Sequence, residues 1–138
     1  TTRTFVNNDI YNAIPEEIKN AIIDTTVVSG HGPNDTANFT STDKLYLLTL
    51  KEIYTDYDDT DDTAKGLTRT LDYYKNTGVT TSNNNGAIKK NNSTAFAWWL
   101  RVAYAHRTNY FSVVDGSGDQ FIYNANRSYG VAPAFRLK

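Results

Sequence analysis

Cysteine is absent from the 138 residues, which excludes thiol nucleophiles, thiolate metal sites and disulfide staples together. That absence carries no information on compartment, because a domain of this size can be secreted without disulfides. Charge of one sign is also missing. The 14 Lys and Arg against 15 Asp and Glu leave a formal net charge of -1 and form no long basic patch, so a nucleic acid gripped through its phosphates is not expected as a partner. No apolar run reaches the roughly eighteen residues a membrane helix needs, and the first residues lack the charged start and apolar centre of a signal peptide. Membrane insertion is therefore not expected. The start at Thr1-Thr2-Arg3-Thr4 is read as the cut edge of a longer protein, of which this would be a C-terminal domain. Finally, Lys and Glu are missing from Val102 to Ser128, a stretch otherwise rich in Tyr, Asn, Ser, Asp and Arg. A segment of that composition suits contact with a partner better than catalysis.

The length fits one domain, large enough to bury a core without metals or disulfides. Ile10, Ile14, Ile18 and Ile22 recur every four residues, with Pro15 where a helix can restart and Glu16-Glu17 where a first turn favours negative charge. The spacing predicts helices over roughly 7 to 13 and 15 to 23. A short β-branched strand is expected over Thr25 to Ser29, then a loop from Gly30-His31-Gly32-Pro33 onward. Lys44 to Leu48 reads as a buried strand, and Thr49 with Glu52 has the spacing of a capping box, so a helix should start there and end near Tyr54. Asp56 to Asn92 predicts long loops around one modest piece near Leu67 to Tyr74. Beyond it come a buried strand over Ala95 to Leu100, a hairpin of Tyr110 to Val114 with Gln120 to Tyr123, and a closing strand over Val131 to Leu137. The turn Asp115-Gly116-Ser117-Gly118 supplies residues that accept positive φ. Helices early and an antiparallel sheet late indicate α+β.

Trp98-Trp99-Leu100-Arg101, the Gly-containing hairpin and the ending Gly130-Val131-Ala132-Pro133-Ala134-Phe135-Arg136-Leu137-Lys138 resemble a bacterial and phage family with the C-type lectin fold, related to the formylglycine-generating-enzyme branch. Asn7 to Tyr11, Ile14 to Ile18 and Asp43 to Glu52 look like that family's first helix and its strand-to-helix step. Members include the variable proteins of diversity-generating retroelements, in which rewriting of adenine-containing codons diversifies a receptor-binding face. The resemblance implies a variable segment over Val102 to Ser128 and a ligand-binding set of Tyr104, His106, Arg107, Asn109, Ser112, Asp115, Ser117, Asp119, Tyr123, Asn124, Asn126, Arg127 and Ser128. Most of these residue types are reached from Asn codons by changing adenines. Gln120 is not, so it is expected in the scaffold. Val102-Ala103-Tyr104 stands where the family commonly has Ser-Pro-Gly, and Ala132 where it commonly has Arg. The formylglycine chemistry needs a cysteine pair and is excluded here. The calcium-dependent Glu-Pro-Asn and Trp-Asn-Asp sugar motifs are absent too, so a lectin fold would not imply a sugar ligand.

The implied function is a non-enzymatic binding domain for a protein or other macromolecule on a cell surface, carried on a cell or virion. The alternative is a structural or adhesive module of a bacterial surface protein or phage fibre. Trp98 and Trp99 should face opposite sides of a strand, with at least one in the core, and Arg101 either pairs with a core carboxylate or reaches the binding face. No Cys or Glu stands at metal-ligand spacing from His31 or His106, and Ser112, His106 and Asp115 lack the Gly-x-Ser-x-Gly of a nucleophile elbow. No cofactor is expected; were calcium to bind, Asp56 to Asp62 would be the candidate loop. That run lacks the turn Gly of an EF-hand and has Leu67 where the closing Glu would stand, so a solvated acidic loop is its commoner reading.

Overall fold

The isoleucine repeat builds a helix only as far as its second member. In the computed structural model, which describes residues 1–30, 37–57 and 69–138, the chain opens with α1 (Thr2–Phe5), a π-helical turn (Val6–Ile10) and α2 (Tyr11–Ala13). Ile10 and Ile14 pack on a small cluster of Val6, Ile22 and Leu45. Ile14 and Pro15 are extended, and α3 (Glu16–Lys19) restarts after the proline but stops well short of residue 23, leaving Ile18 exposed. Ile22 is buried from a strand instead, β1 (Ile22–Ile23), followed by β2 (Thr25–Ser29) as expected.

The strand expected at Lys44 to Leu48 lies earlier, as β3 (Phe39–Asp43), which runs antiparallel to β2 with Thr25 opposite Asp43. Asn7 explains why the ladder ends there. Its Oδ1 accepts from the amides of both Lys44 and Leu45 at 3.1 Å, and its Nδ2 donates to the Leu45 carbonyl at 2.9 Å, so a side chain replaces the strand partner. Residues 44–48 keep one β-bridge, Tyr46 to Ala134, and bury Leu45 and Leu48 in different clusters. The helix after them falls where the capping box puts it: α4 (Leu50–Ile53), with the Thr49 amide donating to Glu52 Oε2 at 2.9 Å. The expected loop from His31 to Asp35, most of the acidic run and Leu67 lie outside the described residues.

The polar stretch that reads as loops contains more order than its composition suggests. It holds α5 (Asp72–Asn76), a 3-10 turn (Asn85–Ala87) and the hairpin of β4 (Lys89–Asn91) with β5 (Thr94–Phe96). Asn92 and Ser93 both take positive φ, 47° and 72°, as a two-residue hairpin turn needs. The expected buried strand is split by Ala97, and its second part is β6 (Trp98–Ala103), which pairs with β7 (Tyr110–Val114), itself paired with β8 (Gln120–Asn124). The closing strand shrinks to β9 (Arg136–Leu137), because the last segment takes three partners in turn. Gly130 bridges to Trp98, Ala134 to Tyr46, and β9 pairs antiparallel with β1. The described strands thus form four small sheets, and the chain is α+β.

Alternation along β6 sends Trp98, Leu100 and Val102 into the main core with Leu50, Ile53, Tyr54, Tyr74, Val79 and Val114. The Trp98 indole donates to the Ala87 carbonyl at 3.1 Å, which satisfies its polar atom in the core. Arg101, on the other face, pairs with the core carboxylate Glu52 at 2.6 Å and also donates to the carbonyls of Leu47 at 2.7 Å and Val28 at 3.2 Å. Its role is to tie β6 to β2 and to the start of α4. Both side chains of the ion pair are nearly buried, so removing one would strand the other charge at a cost of about 3 kcal/mol.

Candidate binding face

Register builds the outer face of the three-stranded sheet. Trp99 lies opposite Val113, which lies opposite Phe121, and Ala103 lies opposite Phe111, which lies opposite Tyr123. Strand alternation therefore puts Trp99, Phe111, Phe121 and Tyr123 together on the side away from the main core. Tyr129 completes a row of rings. Phe121 and Tyr123 have centroids 5.1 Å apart, Tyr123 and Tyr129 5.1 Å, and Tyr129 and Trp99 5.2 Å. These are spacings at which aromatic rings attract edge to face or tilted. Phe121 at the end of the row keeps 52% of its surface exposed. The Tyr129 phenol is pushed above its ordinary value, first by partial burial and then by the neighbouring Tyr123, so it stays neutral and able to donate a hydrogen bond at physiological pH.

The thirteen residues singled out in the sequence do not form one face. Seven of them, Tyr104, His106, Arg107, Asn109, Asn126, Arg127 and Ser128, lie on the two loops at one end of the sheet, beside the last β7–β8 pair, Tyr110 with Asn124. Tyr123 and Asn124, at the end of β8, belong to the same end. The loops are joined there by backbone: the Ala125 amide donates to the Asn109 carbonyl at 2.9 Å, and the Tyr104 amide to the Tyr110 carbonyl at 3.0 Å. Most of the side chains point outward. Tyr104 meets His106 edge to face at 5.2 Å, and the Arg107 guanidinium sits 5.2 Å from the Tyr110 ring centre. The loops, residues 104–109 and 125–128, carry Arg107 and Arg127 and no carboxylate.

Asp115, Ser117 and Asp119 lie at the other end of the hairpin, roughly 14 Å away along the strands. There they serve the turn itself. Asp115 Oδ1 accepts from the Ser117 amide at 2.8 Å, the Ser117 hydroxyl at 2.6 Å and the Asp119 amide at 3.1 Å. Burial raises the Asp115 pKa, but these bonds together outweigh it and hold the carboxyl below its ordinary value. Asp119 accepts from the Asn84 side chain, and the buried Tyr54 hydroxyl donates to the Gly118 carbonyl at 2.6 Å. Ser112 is fully buried on the core side of β7, with no partner for its hydroxyl, and cannot reach a ligand from there.

Trp99, Phe111, Phe121 and Tyr129 are the members of this face that the polar-residue reading passed over. The signal was present for Phe121, which stands two residues from Tyr123 on a strand and must share its side. Tyr129 follows β8 in a segment without regular pairing, and no period in the sequence points to it. Among the described residues no three His, Cys, Asp or Glu side chains come together in a way that could hold a metal ion, and no helix is long and apolar enough to cross a membrane. The calcium candidate run lies mostly outside the described residues. His31 does as well.

A family model described as a domain of unknown function (DUF6273) matches residues 1–138, and the chain belongs to that family. No curated protein and no solved structure matches it.

Proposed function

We propose that this domain is a non-enzymatic binding module that meets a protein or other macromolecule on a cell surface through the loop end of its three-stranded sheet. The reading includes the C-type lectin fold, a likeness to the variable proteins of diversity-generating retroelements, and display on a cell or virion. One observation carries it: the ring row Trp99, Tyr129, Tyr123, Phe121 shares a sheet with outward side chains of Tyr104, His106, Arg107, Asn109, Asn126 and Arg127, while the backbone beneath them is hydrogen-bonded to itself. Large rings bring contact area at small entropic cost, and a backbone already fixed loses little freedom on binding. The same arrangement lets side chains at the loop end change without disturbing the core, as diversification would require. For the fold, support comes from the early helices, the capped step into α4, and the closing segment beside β6 through the Trp98 to Gly130 bridge.

Two measurements test the proposal. Fluorescently labelled domain is titrated onto intact bacterial cells from the population that carries the gene, alongside the double variant Tyr104→Ala, Arg107→Ala. At least a tenfold loss of cell binding with an unchanged thermal midpoint supports the reading, and equal binding by both proteins sinks it. Sequencing the region coding for residues 95–138 in many molecules tests the diversification. Substitutions concentrated at adenines in the codons of Tyr104, His106, Arg107, Asn109 and Asn124 support it, and rare, uniform substitutions count against it. A stable oligomer that buries the ring row would favour the structural module.

A further inference from the structure

Beside β6 the chain leaves a cleft of about 600 Å³. Its walls come from three elements that the fold fixes separately: Val6 of the N-terminal helical segment, Val27 and Phe39 of the β2–β3 hairpin, and Trp99, Ala103 and Phe111 of β6 and β7. That volume falls within the roughly 300–1,000 Å³ of small-molecule sites, which are likewise mainly apolar with few polar groups.

Each charged side chain on these walls already has a partner of opposite sign. Asp43, with 8% of its surface exposed, accepts on Oδ1 from Arg3 Nε at 2.8 Å and Asn7 Nδ2 at 3.3 Å, and on Oδ2 from the Ser41 hydroxyl at 2.6 Å. Arg101, which also borders the cleft, is held by Glu52 at 2.6 Å. A charged ligand would give up water without finding an unmatched partner, whereas an apolar body gains by leaving water. The Ser41 hydroxyl donates its one hydrogen to Asp43, so its oxygen lone pairs can still accept.

We propose that this cleft binds an uncharged, largely apolar small molecule that carries one hydrogen-bond donor, such as a hydroxyl or secondary amine, directed at Ser41. The cleft shares Trp99 with the ring row and borders the loop end at Ala125, but its test uses a small-molecule probe and cleft-filling variants and does not depend on the macromolecular reading. N-phenyl-1-naphthylamine, a neutral apolar fluorophore with one N–H, is titrated into the intact domain, with the anionic anilinonaphthalene sulfonate as control. Ala103→Phe and Ser29→Phe fill the cleft from opposite walls. Each is expected to weaken the neutral probe at least tenfold, and the sulfonate should bind wild type at least tenfold more weakly than the neutral probe. Proton–nitrogen spectra of the wild-type protein give an independent readout. The Trp99 indole signal should move with probe, and that of Trp98, locked on the Ala87 carbonyl, should stay. Unchanged affinity in both folded variants, preference for the sulfonate, or a stationary Trp99 signal would overturn the proposal.

Discussion

The two ends of the β7–β8 hairpin carry similar residues and use them in opposite ways. At the turn end, Asp115, Ser117 and Asp119 spend their polar atoms on the turn and on Asn84, and the core tyrosine Tyr54 reaches out to hold Gly118. At the loop end, Tyr104, His106, Arg107, Asn109, Asn126 and Arg127 surround a backbone that is satisfied without most of their side chains. Polar composition alone does not separate side chains that hold a turn from side chains left facing solvent. The destination of each hydrogen bond does.

The sharpest way to break this contrast is Gly118→Ala. Gly118 has φ of +93°, and a Cβ there would stand 2.4 Å from the Asn84 carbonyl oxygen, a backbone atom that cannot swing aside. The expected loss is roughly 3 kcal/mol or more, read from denaturant unfolding. Tyr54→Phe should come next. Burial first, and then the carboxylates of Asp119 and Asp115, push the Tyr54 phenol far up, so it remains a neutral donor, and its removal leaves the Gly118 carbonyl without that partner. A loss of about 1–2 kcal/mol is expected by the same measurement.

Asp115→Asn should have a smaller effect that depends on pH. Because the folded pKa lies below the ordinary 3.8, the wild-type carboxylate contributes stability above that value and loses it as pH falls through the folded pKa. The gap between the two proteins in thermal midpoint should be open at about pH 6 and close by about pH 2. A gap that widened on acidification would contradict the bonding described for the turn. The smallest effect on stability is expected at the loop end, where Tyr104→Ala with Arg107→Ala should change unfolding by less than about 0.5 kcal/mol. A loss comparable to that of Tyr54→Phe would erase the distinction between the ends.

Parts of this architecture are legible in the chain. The capping box at Thr49 and Glu52 marks a helix start, and the alternation of Trp98, Leu100 and Val102 marks a strand with one face in the core. The β7–β8 hairpin is bracketed by its apolar runs and its Asp-Gly-Ser-Gly turn. What escapes sequence reading depends on distant partners. Lys44 to Leu48 has the composition of a strand, but Asn7 takes its amides from across the fold. Ile18 continues a helical period whose helix ends a residue later, and β4 with β5 hides in a polar stretch because its turn uses Asn-Ser rather than Asn-Gly. For the candidate site, sequence reading found the loop-end residues but joined them to the turn, since proximity along the chain does not reveal that a hairpin holds its ends apart.

The closing segment has a consequence for how the protein is made. Ile22 opposite Leu137, Tyr46 opposite Ala134 and Trp98 beside Gly130 are contacts between residues far apart in translation order. A nascent chain halted before Gly130 would hold every helix and three of the four small sheets, yet none of the pairings that join them through this segment. Folding that waits on such long-range closure is slow, and until it happens the cluster of Val6, Ile22 and Leu45 lacks the cover of Val131. Until the closing segment is in place, the emerging domain would thus leave the apolar surface that Val131, Ala132 and Ala134 cover open to chaperones or to neighbouring copies.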